Sequence, residues 1–216
     1  MPPWVQGGHA RSDKPRMKTA TPTPRQTAKR EHIVGAASRV FAARPYHVVC
    51  MDDVAEAARV GKGTLYRYFP SKEELYLGVV ASAFDLLIGR LERVEAEELP
   101  PAIALSRMIE SIVETFARHL PFFRLMQQEA RLFLRKRQVV RARRDRIAAV
   151  LAGLLDRGVQ SGVFRKVDRD LGPSMVIGLV WGTVLNHAGE TPAEVLAQRV
   201  ADLCLHGILQ SPGGAL

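Results

Sequence analysis

One short segment of this chain is crowded with hydrogen-bonding and positively charged side chains: Lys62, Thr64, Tyr66, Arg67 and Tyr68, set beside Gly61 and Gly63. Ammonium, guanidinium and hydroxyl groups are the donors that meet phosphate oxygens and base edges, so the chemistry they offer is duplex recognition. Leu65 and Phe69 interrupt the polar series at i and i+4, which on a helix puts both on one side. That side anchors inward against Val54, Ala58 and Ile33, leaving the polar set toward solvent or a groove. The bland alternative makes Tyr66 and Tyr68 packing residues with wet hydroxyls and Arg67 an ordinary surface charge.

Donors of this kind need a scaffold that presents one exposed helix face to the major groove. Ile33, Ala36, Ala37, Val40 and Phe41 recur with helical spacing and predict a first helix, which Arg44-Pro45 ends because the proline ring disfavours helical geometry before it. A short helix follows over about 51–58, with Val54, Ala55 and Ala58 inward and Asp52, Asp53 and Glu56 toward its N-terminal half, where negative charge suits the dipole. The turn Arg59-Val60-Gly61 leads into the donor-rich segment, and Pro70 closes it. Ser71 and Glu74 form an S-x-x-E capping box that starts a long helix. Two short helices around a glycine-containing turn make a helix-turn-helix.

Residues 27–72, and above all Gly61-Lys62-Gly63-Thr64-Leu65-Tyr66-Arg67-Tyr68-Phe69-Pro70-Ser71-Lys72-Glu73-Glu74-Leu75, resemble the DNA-binding domain of the TetR family of transcriptional regulators. The resemblance implies that Lys62 and Gly63 open the recognition helix, that Thr64 meets a phosphate or base, Tyr66 a base edge or backbone, and Tyr68 a phosphate. Arg67 would read guanine, and Lys72 would hold a phosphate while linking the DNA-binding head to the rest. Arg25, Lys29 and Arg30 would touch the flanking backbone or minor groove. The chain departs from the family pattern at Arg59, where glycine is usual and a left-handed backbone would strain a side chain by about 1 kcal/mol. It departs also at Cys50, where Ser or Thr usually caps, at Pro45 and Gly61, and at Asp52, where some members carry a basic base-reading residue.

The rest of the chain reads as helices over about 71–95, 101–119, 121–136, 138–161, 169–187 and 192–209, broken by Leu99-Pro100-Pro101 and Leu120-Pro121 and restarted at Thr191-Pro192-Ala193-Glu194. No strand alternation of useful length is present. The expected fold is all-α: residues 1–26 as a disordered basic tail, 27–72 as a helix-turn-helix DNA-binding domain, and 73–216 as a helical effector-binding and dimerisation domain. What the family resemblance implies is a repressor released from double-stranded operator DNA by a small molecule; the alternative is an activator or an effector-independent DNA-binding protein of the same fold. Phe84, Leu87, Phe116, Phe123, Met126, Met175 and Trp181 are the candidate pocket residues, and with no buried acid to select a cation the effector is expected to be apolar or amphipathic. The apolar 169–187 helix and its successor are the candidate homodimer interface, through Ile177, Gly178, Val180, Gly182, Val184, Leu196, Val200 and Leu203.

Composition agrees with a DNA-binding reading and narrows the rivals. With 31 basic against 22 acidic residues the chain carries +9, which favours polyanionic partners. Two distant cysteines, Cys50 and Cys204, fit a reduced cytoplasmic compartment and no disulfide framework. No signal peptide is expected, and the uncharged stretch 171–189 carries Pro173, Asn186 and several glycines, a poor membrane span. Six scattered histidines, with no H-E-x-x-H, G-x-S-x-G or phosphate loop, speak against an enzyme. No cofactor and no metal are expected. The arginine run from Arg131 to Arg146 reads first as a solvated face and second as a contact for an acidic ligand group.

Overall fold

A computed structural model describes residues 23–121, 124 and 137–208. Among these the chain forms eight helices and no strand: α1 (Pro24–Ala43), α2 (Met51–Ala57), α3 (Lys62–Tyr68), α4 (Lys72–Ala96), α5 (Pro101–Arg118), α6 (Arg137–Gln160), α7 (Leu171–His187) and α8 (Ala193–Ile208). The expected all-α architecture is the observed one.

α1 begins three residues before the expected boundary. Thr23 caps it: its hydroxyl accepts from the Gln26 amide, the Gln26 side chain accepts from the Thr23 amide (2.8 Å), and Pro24 fills the first turn. The same pattern of cap, proline and amide was legible in the sequence at this point and belongs to the helix, not to the tail. The remainder of the expected tail, 1–22, lies outside the described residues, as do most of the expected 121–136 helix and the chain end beyond 208.

α1, α2 and α3 close around Ile33, Ala36, Ala37, Val54, Ala58, Leu65 and Phe69, every one buried. α2 ends in a left-handed residue: Arg59 has φ 49°, and the Val60 amide reaches back to the Ala55 carbonyl (3.0 Å). The strain expected of a side chain at that position is present. The Nε2–H of His32 on α1 donates to the Ala58 carbonyl (2.8 Å), tying α1 to the end of α2.

α4 belongs to both halves of the molecule. Its first turns pack on α1, through Tyr76 against Phe41 (ring centroids 4.7 Å apart), and its later turns pack on α5 and α6. α5 is the centre of the second half: Leu105, Met108, Ile109, Ile112 and Val113 have no solvent exposure, and α4, α6, α7 and α8 surround them. Two members of the arginine run, and Arg157 beyond it, reach across to acids of α4. Arg143 makes a bidentate pair with Asp85 (2.8 and 2.7 Å), Arg146 meets Glu92 (2.6 Å), and Arg157 meets Glu95 (3.2 Å), so α6 is pinned along α4 by charge.

Candidate functional site

The recognition segment folds as its pattern requires. Leu65 and Phe69 are buried, and Lys62, Gly63, Tyr66 and Arg67 are exposed, Tyr66 to 41%. α3 is only seven residues long and is held at both ends: the Thr64 and Leu65 amides donate to the Gly61 carbonyl (2.9 and 3.1 Å), and the Phe69 amide donates to the Leu65 carbonyl (2.9 Å). Thr64 and Tyr68 are half-buried and turn toward α1. With Arg67, Thr23, Arg25, Lys29 and His32 they line an open cleft between the start of α1 and α3. Basic and hydroxyl groups on both walls suit a phosphate of the duplex backbone. Arg67 lies over the Tyr68 ring (5.5 Å), which orders both.

Three of the expected basic contacts also have partners within the chain. The guanidinium of Arg30, an exposed residue, lies over the Phe69 ring, 5.0 Å from its centroid. The Lys72 ammonium is engaged within the chain: it donates to the Tyr46 and Val49 carbonyls (both 2.9 Å) and sits 4.5 Å from the Tyr46 ring centroid. Two of its three N–H groups are therefore used to brace the α1–α2 loop on the start of α4. Lys62 pairs with Asp52 across the two helices (2.9 Å), and that hydrogen bond holds its pKa above the ordinary lysine value.

Cys50, in the place of the usual hydroxyl cap, is compensated from the other side. The Asp53 carboxylate accepts from the Cys50 amide (2.8 Å) and thiol (3.1 Å), and the backbone bond first, then the thiol, hold its pKa low.

In the second half, α4, α5, α6 and α7 enclose a cavity of about 450 Å³. Phe84, Phe116 and Trp181 form an edge-to-face series on one wall, with centroid separations of 6.4 and 5.7 Å. Val140, Ile147, Ala148 and Ile177 add apolar surface, while Arg144, Asp145 and Ser174 bring polar groups to it. Among the described residues no group of three His, Cys, Asp or Glu side chains could hold a metal.

Of the expected pocket residues, then, Phe84, Phe116 and Trp181 line this cavity. Leu87 does not, being packed into the core, and Met175 does not, being 65% exposed on the outer side of α7. Phe123 and Met126 lie outside the described residues. The α6 wall went unrecognised although Val140, Arg144, Ile147 and Ala148 share one helical face, because the dense arginines around them masked the apolar positions.

Of the residues expected at the dimer face, Gly182 and Leu203 remain uncovered in the single chain and the others do not all do so. Val180, Val184, Leu196 and Val200 are buried within the chain's own core, and Ile177 and Gly178 line the cavity. A helix that is apolar all round does not disclose by its periodicity which face is covered within the chain. The uncovered residues are Leu171, Met175 and Leu179 on α7 and Leu203 on α8, beside the open backbone of Gly178 and Gly182.

Comparison with known proteins decides the family. Residues 33–79 match the profile of the bacterial regulatory proteins of the tetR family, and residues 98–208, just over half of the chain, match the tetracyclin repressor-like C-terminal domain. The chain belongs to the TetR family. It is 28% identical over 200 residues to the transcriptional repressor KstR2 of Mycolicibacterium smegmatis, an alignment covering 90% of this chain and 98% of that one. It is similar to the crystal structure of the TetR-family regulator PfmR from Thermus thermophilus, with 30% identity, 81% of this chain and 97% of that chain covered, and a TM-score of 0.63. It is similar also to FadR from Bacillus subtilis in complex with stearoyl-CoA, at 26% identity with 82% and 98% covered and a TM-score of 0.67. The α2–α3 unit is thus the DNA-binding helix-turn-helix of a TetR-family transcriptional regulator, and α5–α8 fall within the match to the C-terminal domain. No helix among the described residues is long and apolar enough to cross a membrane.

Proposed function

We propose that the protein is a cytoplasmic homodimeric repressor released from its operator when an amphipathic small molecule with an acyl-like apolar portion occupies the α4–α7 cavity. The observation that carries this reading is that one helix serves both sites. Phe84 of α4 walls the cavity, and Lys72 and Gly78 of the same helix hold the recognition unit through Tyr46, Val49 and Phe69. Twelve residues separate Phe84 from Lys72, about 18 Å along a helix. A ligand that pushes Phe84 therefore tilts the support of α3, and a tilt that changes the separation of two heads breaks simultaneous contact with successive major grooves.

The apolar, aromatic cavity wall with Arg144, Asp145 and Ser174 supports an effector that is mostly apolar with a polar end. The stearoyl-CoA bound by B. subtilis FadR supports that choice of effector, and the naming of the relative KstR2 as a repressor supports repression. Lys62, Gly63, Thr64, Tyr66, Arg67 and Tyr68 are the proposed DNA contacts, joined by Arg25 and Lys29 at the cleft. The dimer is proposed to form through Leu171, Met175, Leu179 and Leu203, with Gly178 and Gly182 permitting close approach.

The test is selection of bound duplexes from a random pool, followed by titration of the selected duplex–protein complex with saturated acyl-CoAs and fatty acids of graded length. A palindromic selected site and release by one chain-length class are expected. Selection of no sequence, or a complex indifferent to every amphiphile, refutes the corresponding half of the reading.

A further inference from the structure

The carboxylate of Asp52 stands where a DNA-binding surface would ordinarily avoid one. Asp52 lies on the solvent side of α2, because Met51, Val54 and Ala55 take the buried side. Its Oδ2 is 2.9 Å from Nζ of Lys62, the first residue of α3, and both side chains are about three-fifths exposed. In helix-turn-helix docking the N-terminal residues of the recognition helix meet base edges. A carboxylate in contact with Lys62 is therefore at the base-edge end of the surface.

A carboxylate in the first turn of α2 suits the helix dipole, but the dipole asks for no partner on α3 and does not account for the pairing with Lys62. The N-terminal cap of α2 is completed by Asp53 through the Cys50 amide, not by Asp52. Among the described residues Asp52 accepts a hydrogen bond only from Lys62. What the pair does to DNA follows from charge. A lone carboxylate pressed toward a polyanion is repelled. Paired with Lys62 it approaches as a neutral unit, and its remaining lone pairs require a donor on the DNA.

The major-groove edges that supply one are the exocyclic amino groups of cytosine (N4) and adenine (N6), whereas guanine presents only the acceptors O6 and N7. We propose that Asp52 is a specificity-determining residue of the operator contact, admitting an amino-bearing base edge at one position of each half-site, refusing guanine there, and withdrawing Lys62 from non-selective phosphate attraction. This rests on α2–α3 being the DNA-binding unit and adds a base preference and a charge filter to it.

The experiment compares the full-length protein with its Asp52→Asn and Asp52→Ala variants by sequencing duplexes retained from a random pool. Each protein's affinity for a scrambled duplex is then measured over a range of salt concentrations. Asp52 is exposed, and thermal melting checks that both variants keep the fold. The wild type is expected to enrich cytosine or adenine at one position per half-site, and Asp52→Ala to relax that position alone by at least about fivefold. On the scrambled duplex the variants are expected to bind more tightly and to show a log–log salt slope steeper by about 0.9, as one freed lysine joins the phosphate contacts. Variant preferences that overlay the wild type at every position overturn the proposal. A wild type that enriches no sequence overturns it too, and separately removes the base-reading role of α3.

Discussion

The ring of Phe69, which ends the recognition helix, is seated directly on Gly78 of α4: a methyl group at Gly78 would come within 2.9 Å of Phe69 Cε1. The Arg30 guanidinium lies over the same ring, 5.0 Å from its centroid. The recognition helix is thus clamped between α1 and α4 through a single aromatic side chain, and the absence of a side chain at Gly78 is what lets α4 approach.

Gly78→Ala should therefore displace Phe69 before it unfolds anything. Small-to-large changes in a packed core destabilise by about 1–3 kcal/mol. We expect a lowered melting temperature and operator affinity reduced by about tenfold, equivalent to about 1.4 kcal/mol. The double variant Gly78→Ala/Phe69→Leu should recover part of both, since it returns the space. If Gly78→Ala binds operator as the wild type does, the clamp has no bearing on DNA binding.

Lys72 is the second clamp. Replacing it by Met removes the donor from two carbonyls, Tyr46 and Val49, and leaves them to find water. Loss of a partner to a part-buried polar group costs about 1–3 kcal/mol. Urea unfolding of Lys72→Met should show that loss, and Lys72→Arg should show less of it. Operator affinity should fall in the same order. A Met variant that unfolds at the wild-type urea midpoint would leave the brace without energetic weight.

These two clamps also show where the sequence was informative. The inward placing of Leu65 and Phe69, the strain at Arg59 and the helix start at Ser71 all follow from local spacing, and each is present in the structure. Lys72 was legible as a link between the two halves, but its carbonyl partners lie 26 and 23 residues away and no local pattern announces them. The same limit governs the C-terminal domain. α7 is apolar on nearly every side, so periodicity could not say that Val180 and Val184 face home while Met175 and Leu179 face outward. The cavity wall on α6 was hidden by a different cause: its arginines are there for Asp85 and Glu92 of α4, and their pattern overlies the apolar one.

The cavity reading makes a steric prediction. Ala148 lines the cavity and is half-buried, so Ala148→Phe should fill the space from the α6 side without touching α3. Operator affinity should stay within about twofold of wild type, while binding of an acyl amphiphile, followed by Trp181 fluorescence in a Trp4→Phe background, should weaken by tenfold or more; tenfold is about 1.4 kcal/mol. Equal amphiphile affinity in the two proteins would move the binding site elsewhere.

The outward stripe on α7 makes a prediction about assembly. Met175 and Leu179 are a turn apart and exposed, Met175 to 65%. A carboxylate introduced at each, Met175→Glu/Leu179→Glu, would be buried unpaired in a two-fold interface, where it would meet its own symmetry mate. Sedimentation should show a dimer for the wild type and a monomer for the double variant, with the helical circular dichroism retained. Monomeric protein should bind a half-site but lose the tight full-site complex. A dimeric double variant would place the interface on another face.

His119 sets a pH dependence whose sign can be worked out. It caps the end of α5 in a half-buried position, and burial first, then the Arg118 guanidinium, hold its pKa below 6.5 in the folded protein. The unfolded chain has neither influence and takes up its proton near pH 6.5. As pH falls through 6.5 the unfolded state gains that proton before the folded state does, so proton binding favours unfolding. The stabilising contribution is therefore full above pH 6.5 and is lost progressively below it, down to the folded pKa. Thermal unfolding between pH 7.5 and 5.0 should show the wild-type midpoint falling through that window. His119→Gln, which cannot take up the proton, should fall less over the same interval, and identical slopes for the two proteins would show that His119 titrates alike folded and unfolded.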